Sequence, residues 1–249
     1  MKQADLLALQ ETLYSSRNPT RQWLHNSRRE WISAAIRKHC TRDSRGLEIG
    51  PGSGIYIPVL KSVCREVYVA DCERAYLSSI EKRYVGDSGV NIVVDDITQS
   101  QLPSNHFDLV LCTEVVEHIA DSRRAFQQIA RILKPGGILV LSTPQRYSLL
   151  EMTARLALSP WLIWLTRLVY REPVLEMGHI NLMTVGTVRA QLSAANLRVI
   201  EEYRAGLYIP VVAEFLGNAG QRWASRLEPR VRESWFAPAL WTQFYVITR

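Results

Sequence analysis

The stretch Leu47-Glu48-Ile49-Gly50-Pro51-Gly52-Ser53-Gly54 constrains this chain more than any other. Leu47 to Ile49 read as the end of a buried strand. Gly50, Gly52 and Gly54 then allow a tight turn in which a ligand can lie against bare backbone. Residues from Ile55 onward can start a helix. Strand, glycine turn and helix N-terminus together make the nucleotide corner of an open α/β sheet. The dinucleotide fingerprint places its third glycine one position later. Here Ile55 stands there, so the pattern is G-x-G-x-G. Glu48 is a second departure, because a carboxylate beside the turn suits a ligand with a cationic end better than a pyrophosphate.

The 249 residues can bury one large core or two small ones, and 47% of them are apolar, which excludes a disordered chain. A net charge of +6 is too mild to argue for nucleic acid or for an anionic membrane. Cys40, Cys64, Cys72 and Cys112 show no metal-binding spacing, so reduced thiols, a cytoplasmic setting and no metal are expected. Met1 to Asp5 do not open a signal peptide. No apolar run reaches the ~20 residues of a membrane span. Leu156 to Thr166 comes nearest, but it contains Pro160 and lies between Arg155 and Arg167.

Along the chain, residues 1–39 read as helical with a break near Asn18-Pro19. Trp23, Ser27, Trp31, Ala34 and Ala35 trace a stripe at helical spacing, and His25, Arg28 and Arg29 fall mainly off it. These three are either a solvated basic face or part of a lid whose His25 or Arg28 points into a site. Residues 45–50 form a first strand, 54–64 a helix, and 66–70 a second strand that Asp71 closes. Asp71 lies about 20 residues beyond Gly50, where such folds place a carboxylate on ribose hydroxyls. The structural alternative is that Asp71 caps the next helix. Val90 to Val94 make a third strand ended by Asp95-Asp96. Asp96 can accept an adenine amine while the Ile97 N–H meets a ring nitrogen, and Asp95 reads as a turn residue. Phe107 to Cys112 are a fourth strand. Asp121 or Ser122 caps a helix that Lys134-Pro135-Gly136-Gly137 stops, and Ile138 to Leu141 are a fifth strand. Beyond Pro144, residues 145–180 are apolar and hold no evident strand. Thr184 can cap a helix that Asn196 closes, Leu197 to Tyr203 are a sixth strand, Val211 to Arg232 are mostly helical, and Phe244 to Ile247 make a last strand.

With four motifs in this order, Gly46 to Pro144 resembles a class I S-adenosylmethionine-dependent methyltransferase of the small-molecule type 11 kind. The motifs are Leu47 to Gly54, Val69-Ala70-Asp71, Asp95-Asp96-Ile97, and Phe107-Asp108-Leu109-Val110 with Glu117-His118 and Leu133 to Gly137. The resemblance implies one domain over 1–249 with a Rossmann-like, mostly parallel seven-stranded sheet, its last strand antiparallel beside the fifth. Helices would cover both faces, with a lid over 1–40 and a cap or substrate segment over 145–180. It implies that Glu48, Gly50, Gly52 and Gly54 hold the methionine end of S-adenosylmethionine and that Asp71, with Cys72 beside it, takes the ribose. Asp96 and Ile97 would take the adenine, and Thr113 would lie near the methionine portion.

For an oxygen nucleophile a histidine base is expected. His118 follows the fourth strand. His179 lies in the divergent segment and is the stronger choice. Tyr147 either orients the acceptor or is a half-buried core ring. The Leu- and Trp-rich stretch 149–170 is a cap on the sheet, a lid over an apolar pocket, or a membrane-facing surface. The expected acceptor is a small apolar or lipid-like molecule, with the N-terminal helix closing part of its pocket and His25 and Arg28 as further candidates. Ile55 and Glu48 disfavour a nicotinamide dehydrogenase. Thr113-Glu114-Val115-Val116 is unlike the motif of nucleic-acid methyltransferases. A non-catalytic cofactor-binding or scaffold protein is the alternative.

Overall fold

Alternation of apolar side chains along the strands decides the architecture. The computed structural model describes residues 14–157 and 178–249. Its strands are β1 (Arg45–Ile49), β2 (Glu66–Asp71), β3 (Val90–Val94), β4 (Phe107–Thr113), β5 (Leu133–Pro144), β6 (Arg198–Ala205) and β7 (Thr242–Thr248). They form one seven-stranded sheet in the order β3-β2-β1-β4-β5-β7-β6. β7 is antiparallel to both β5 and β6, and the other pairs are parallel. Val110 and Cys112 of β4 enter one core with Tyr245 and Ile247 of β7. Leu109 and Leu111 enter the other with Phe244 and Val246. With both faces covered, period-2 strands bury on each side.

The helices are α1 (Pro19–His39), α2 (Ile57–Val63), α3 (Arg74–Arg83), α4 (Ser122–Ile132), α5 (Leu149–Ala157), α6 (Val185–Ala194), α7 (Pro210–Phe215) and α8 (Gly217–Arg232). Ile32, Leu60, Leu77 and Ile80 bring α1 to α3 onto one face of the sheet. Phe126, Ile129, Val188 and Leu192 bring α4 and α6 onto the other. At the expected break Asn18 caps α1, accepting from the N–H of Thr20 at 3.0 Å, and the expected cap Thr184 accepts from that of Thr187 at 3.2 Å. Asp121 accepts from Arg124 at 3.3 Å, and Asn196 sits in the left-handed region at φ 57°.

Several expectations need correction. α2 starts at Ile57, two residues later than the glycine turn alone suggests. Leu133 to Gly137 do more than stop α4. They extend β5 by pairing Leu133 with Phe107 across a bulge, and the Arg249 N–H bonds the Gly137 carbonyl at 3.1 Å. Gly217 at φ 48° breaks the helical stretch after Val211 into α7 and α8. The buried side of α1 is Leu24, His25, Arg28, Ile32, Ala35 and Ile36, whereas Ala34 is exposed. His25 and Arg28 are thus not a solvated basic face, because partners across the fold pull that side of the helix inward. Of the expected lid and cap, 1–13 and 158–177 lie outside the described residues. No helix among the described residues is long and apolar enough to cross a membrane.

Candidate functional site

The sheet reverses its winding at β1, which has β2 on one side and β4 on the other. Ligands of open α/β sheets bind at the C-terminal ends of the strands at such a point. The glycine turn leaves β1 there, with Gly50, Gly52 and Gly54 at φ 63°, 53° and 72°. A Cβ on Gly50 would stand 2.5 Å from Val115 Cγ2, so sterics and dihedral both require glycine. The Gly50 N–H donates to the Ala70 carbonyl at 2.9 Å, which ties the turn to β2. Glu48 is 1% exposed, and its Oε2 is buried without a partner. Burial pushes its pKa up to about 8.

Asp71, at the end of β2, accepts from the Glu73 N–H at 2.9 Å. It therefore shapes its own turn, and Glu73 takes the N-cap position of α3. Partial burial raises the Asp71 pKa, and Cys72 beside it is exposed. Asp95 is buried and accepts from the Gln101 N–H at 2.8 Å, in keeping with the turn reading. Asp96 accepts from the Thr98 N–H and hydroxyl at 2.9 and 2.8 Å and from Gln99 Nε2 at 3.1 Å. Burial works against its charge, but these donors prevail and its pKa is lowered. Ile97 is buried behind it.

Past Thr113, Glu114 adopts φ 55°, strained for a non-glycine residue. It is held there by its N–H to the Ser142 carbonyl at 2.9 Å and by Ser142 Oγ donating to its Oε1 at 2.8 Å. Arg28 Nη1 reaches its Oε2 at 2.5 Å. Burial opposes the Arg28 charge, yet Glu114 and the other acidic groups around it raise its pKa. Arg28 also lies 5.1 Å from the Trp241 ring centroid and donates to His25 Nδ1 at 2.9 Å. His25 packs edge-on to Tyr14 and Trp241. Burial, then the nearby arginines, lowers its pKa well below the usual imidazole range. The N-terminal helix thus docks its basic side on the end of β4.

The 3-10 turn Val116–His118 follows. Glu117 is fully buried, and burial raises its pKa well above the carboxylate range. Its Oε2 accepts from Thr143 Oγ1 at 3.1 Å, and its Oε1 has no partner. The Glu117 carbonyl accepts the N–H groups of Ile180 and Asn181, both at 3.0 Å. This binds the divergent segment to the end of β4 and brings the His118 and His179 rings to 5.2 Å between centroids. The two histidines, read as competitors, are therefore neighbours. His118 is exposed, and its Nδ1 donates to the Gly178 carbonyl at 3.1 Å. Desolvation, with His179 beside it, lowers its pKa. His179 Nδ1 stands 3.3 Å from Glu151 Oε1 but is not aligned for a hydrogen bond. Tyr147 is 55% exposed at the start of the cap, so the half-buried core reading is corrected.

Sequence reasoning passed over Glu114, Glu117 and Glu151 as site residues. The spacing Glu114-x-x-Glu117-His118 at a strand end was the available signal, since adjacent acids there rarely all face solvent.

Comparison with known proteins agrees with this geometry. Residues 20–202 match the family described as "Methyltransferase domain". A probable S-adenosylmethionine-dependent methyltransferase of Mycobacterium tuberculosis is 30% identical over 100 residues, covering 40% of this chain and 35% of the relative. A ubiquinone biosynthesis O-methyltransferase of Sinorhizobium fredii is 31% identical over 125 residues, 49% of this chain and 50% of that protein. The chain thus matches half the length of these relatives or less. Among solved structures, the N-methyltransferase NodS from Bradyrhizobium japonicum, in complex with S-adenosyl-L-homocysteine, superposes with a TM-score of 0.61. It is 19% identical and covers 99% of this chain and 96% of its own.

Proposed function

Because the chain belongs to the class I S-adenosylmethionine-dependent methyltransferases, we propose that it methylates an oxygen of a small, apolar or lipid-like acceptor. The observation that carries the reading is Glu48. A fully buried carboxylate with a free oxygen at the end of β1 is costly unless a cationic group arrives to meet it. Among the described residues the buried arginine, Arg28, is paired with Glu114. An ammonium and a sulfonium fit such a site, and a pyrophosphate does not. The O-methyltransferase relatives support oxygen as the methylated atom.

In this reading Glu48 accepts the ammonium, and the Gly50–Gly54 turn offers bare backbone to the methionine end. Asp71 takes the ribose hydroxyls, with Cys72 beside it. Asp96 keeps an acceptor position for the adenine amine beyond the three bonds that orient it, with Ile97 packed behind. Thr113 flanks the methionine portion. S-adenosylmethionine supplies an activated methyl when bound. The chain's task is then to hold the nucleophile in line, which can account for much of the rate. The acceptor's hydroxyl is activated at the His118–His179 pair. Tyr147, Met152, Leu156 and Ile180 are large side chains exposed around the segment 145–180, which supports an apolar acceptor held there. α1 closes the opposite side through Arg28.

Incubation with labelled S-adenosylmethionine and cell extract should yield a labelled small molecule. Tight cofactor binding with no labelled product from any extract would favour the non-catalytic alternative. Asp71→Ala should weaken S-adenosylhomocysteine binding by roughly 1.5–3 kcal/mol, the range for charged hydrogen bonds, with the fold intact. A calorimetric affinity equal to wild type would remove Asp71 from the ribose site. His179→Ala should cut turnover by ~10²-fold or more and leave S-adenosylhomocysteine affinity nearly constant. Full turnover in that variant would take His179 out of the reaction.

A further inference from the structure

We infer that Glu117, His118 and His179 form a divalent-cation site on the acceptor side of the crevice. Each residue offers one donor atom, and the three atoms lie within 4.8 Å of one another. Ligands ~2.1 Å from one cation stand at most ~4.2 Å apart, so a slight closure of the side chains completes the set. The backbone already enforces the juxtaposition. Glu117 and His118 are consecutive on the 3-10 turn, and the Ile180 and Asn181 N–H groups, both 3.0 Å from the Glu117 carbonyl, fix His179 opposite them.

A second, independent observation points to a ligand. Glu117 is 0% exposed, and its Oε1 has no partner although Thr143 holds Oε2. Leaving a buried acceptor unmet is expensive, and among the described residues no side chain or backbone group donates to it. The ring of His118 is already oriented by the backbone. The Gly178 carbonyl takes the Nδ1–H of His118, which leaves the Nε2 lone pair free and sets the ring's orientation, as in protein metal sites. Two imidazoles and one carboxylate select Mn2+, Fe2+, Co2+ or Zn2+ over Ca2+.

This inference rests on the proposed function for what the cation does, though not for whether it binds. Three protein ligands leave coordination positions open, and a hydroxyl brought to one of them becomes more acidic. The proton leaves to solvent. The O–CH3 bond forms as the S–CH3 bond breaks, giving a methyl ether and S-adenosylhomocysteine. The acceptor class narrows to molecules that present a metal-ligating hydroxyl.

The test is titration of the chelator-stripped full chain with CoCl2, read by visible absorption, and with MnCl2, read by calorimetry. S-adenosylhomocysteine binding is measured in parallel. One cation per chain is expected, with His118→Ala and Glu117→Gln each raising its Kd by about 100-fold or more and S-adenosylhomocysteine affinity unchanged. His118 is exposed, so its variant carries the test even if Glu117→Gln does not fold. Absence of saturable binding by either cation would overturn the site, as would binding that survives the substitutions. Retained S-adenosylhomocysteine binding would then leave the methyltransferase reading standing. Loss of S-adenosylhomocysteine binding alone would strike that reading and not the cation site.

Discussion

Glu48→Gln should make the cofactor-free protein more stable in alkaline buffer and nearly abolish its use of the cofactor. The sign follows from the pKa. Burial raises the folded-state value from 4.5 to about 8. Between those values the folded chain keeps a proton that the unfolded chain releases. Stability is therefore greatest near and below pH 4.5 and falls as pH rises through about 8. At about 1.4 kcal/mol per pH unit, the loss across this window is on the order of 5 kcal/mol. Glutamine keeps the shape and cannot ionise. Thermal unfolding without cofactor should show variant and wild type alike near pH 5 and the variant more stable above pH 8. S-adenosylhomocysteine should bind the variant roughly 10- to 100-fold more weakly, because a charged hydrogen bond to the ammonium is gone. A wild-type affinity would place the ammonium elsewhere. A wild-type pH profile would mean that the Glu48 carboxyl does not titrate in that window.

Arg28→Met should destabilise the chain by about 3–5 kcal/mol, the cost of removing one partner of a buried ion pair. Arg28 and Glu114 are 9% and 22% exposed, so water screens the pair little. The expected loss corresponds to a drop in Tm of roughly 10 °C for a chain of this size. The strained Glu114 backbone should relax with it, so cofactor affinity should fall as well. Adding Glu114→Gln should recover a large part of the stability, since the stranded charge is then absent. A Tm within a degree of wild type for Arg28→Met would show that α1 is held by its apolar side and by its other ion pairs, such as Arg21–Glu214 and Lys38–Glu201.

The candidates for the cofactor half of the site could be named from the sequence because their signals are local. Glycine is required at Gly50 by one turn, and Asp71 ends one strand a fixed distance later. Caps such as Asp121, Thr184 and Asn196 act on their own helix ends, and period-2 alternation marks strands wherever they lie. The acceptor half was legible only as a list of candidates. His118 and His179 read as rivals because sixty-one residues separate them, and their segments are joined by tertiary hydrogen bonds, from Ile180 and Asn181 to Glu117 and from His118 to Gly178. The same holds for α1. Its spacing suggested Trp23, Ser27, Trp31, Ala34 and Ala35 as the inner stripe, yet of these only Ala35 is buried, alongside His25 and Arg28.

By itself, then, the amino-acid order determined the α/β class and the glycine turn after β1, because those depend on residues near one another in the chain, whereas the antiparallel last strand followed only from the family resemblance, since β7 pairs with a strand far away in sequence. Tertiary structure alone decided which face of α1 turns inward and which acids lose water. A cation can be buried only where a carboxylate from another element meets it, as Glu114 meets Arg28. Glu48 and Glu117 are left with unmet oxygens only because strands from the rest of the sheet close over them. Burial of this kind is a property of the whole packing, which no single stretch of the sequence displays.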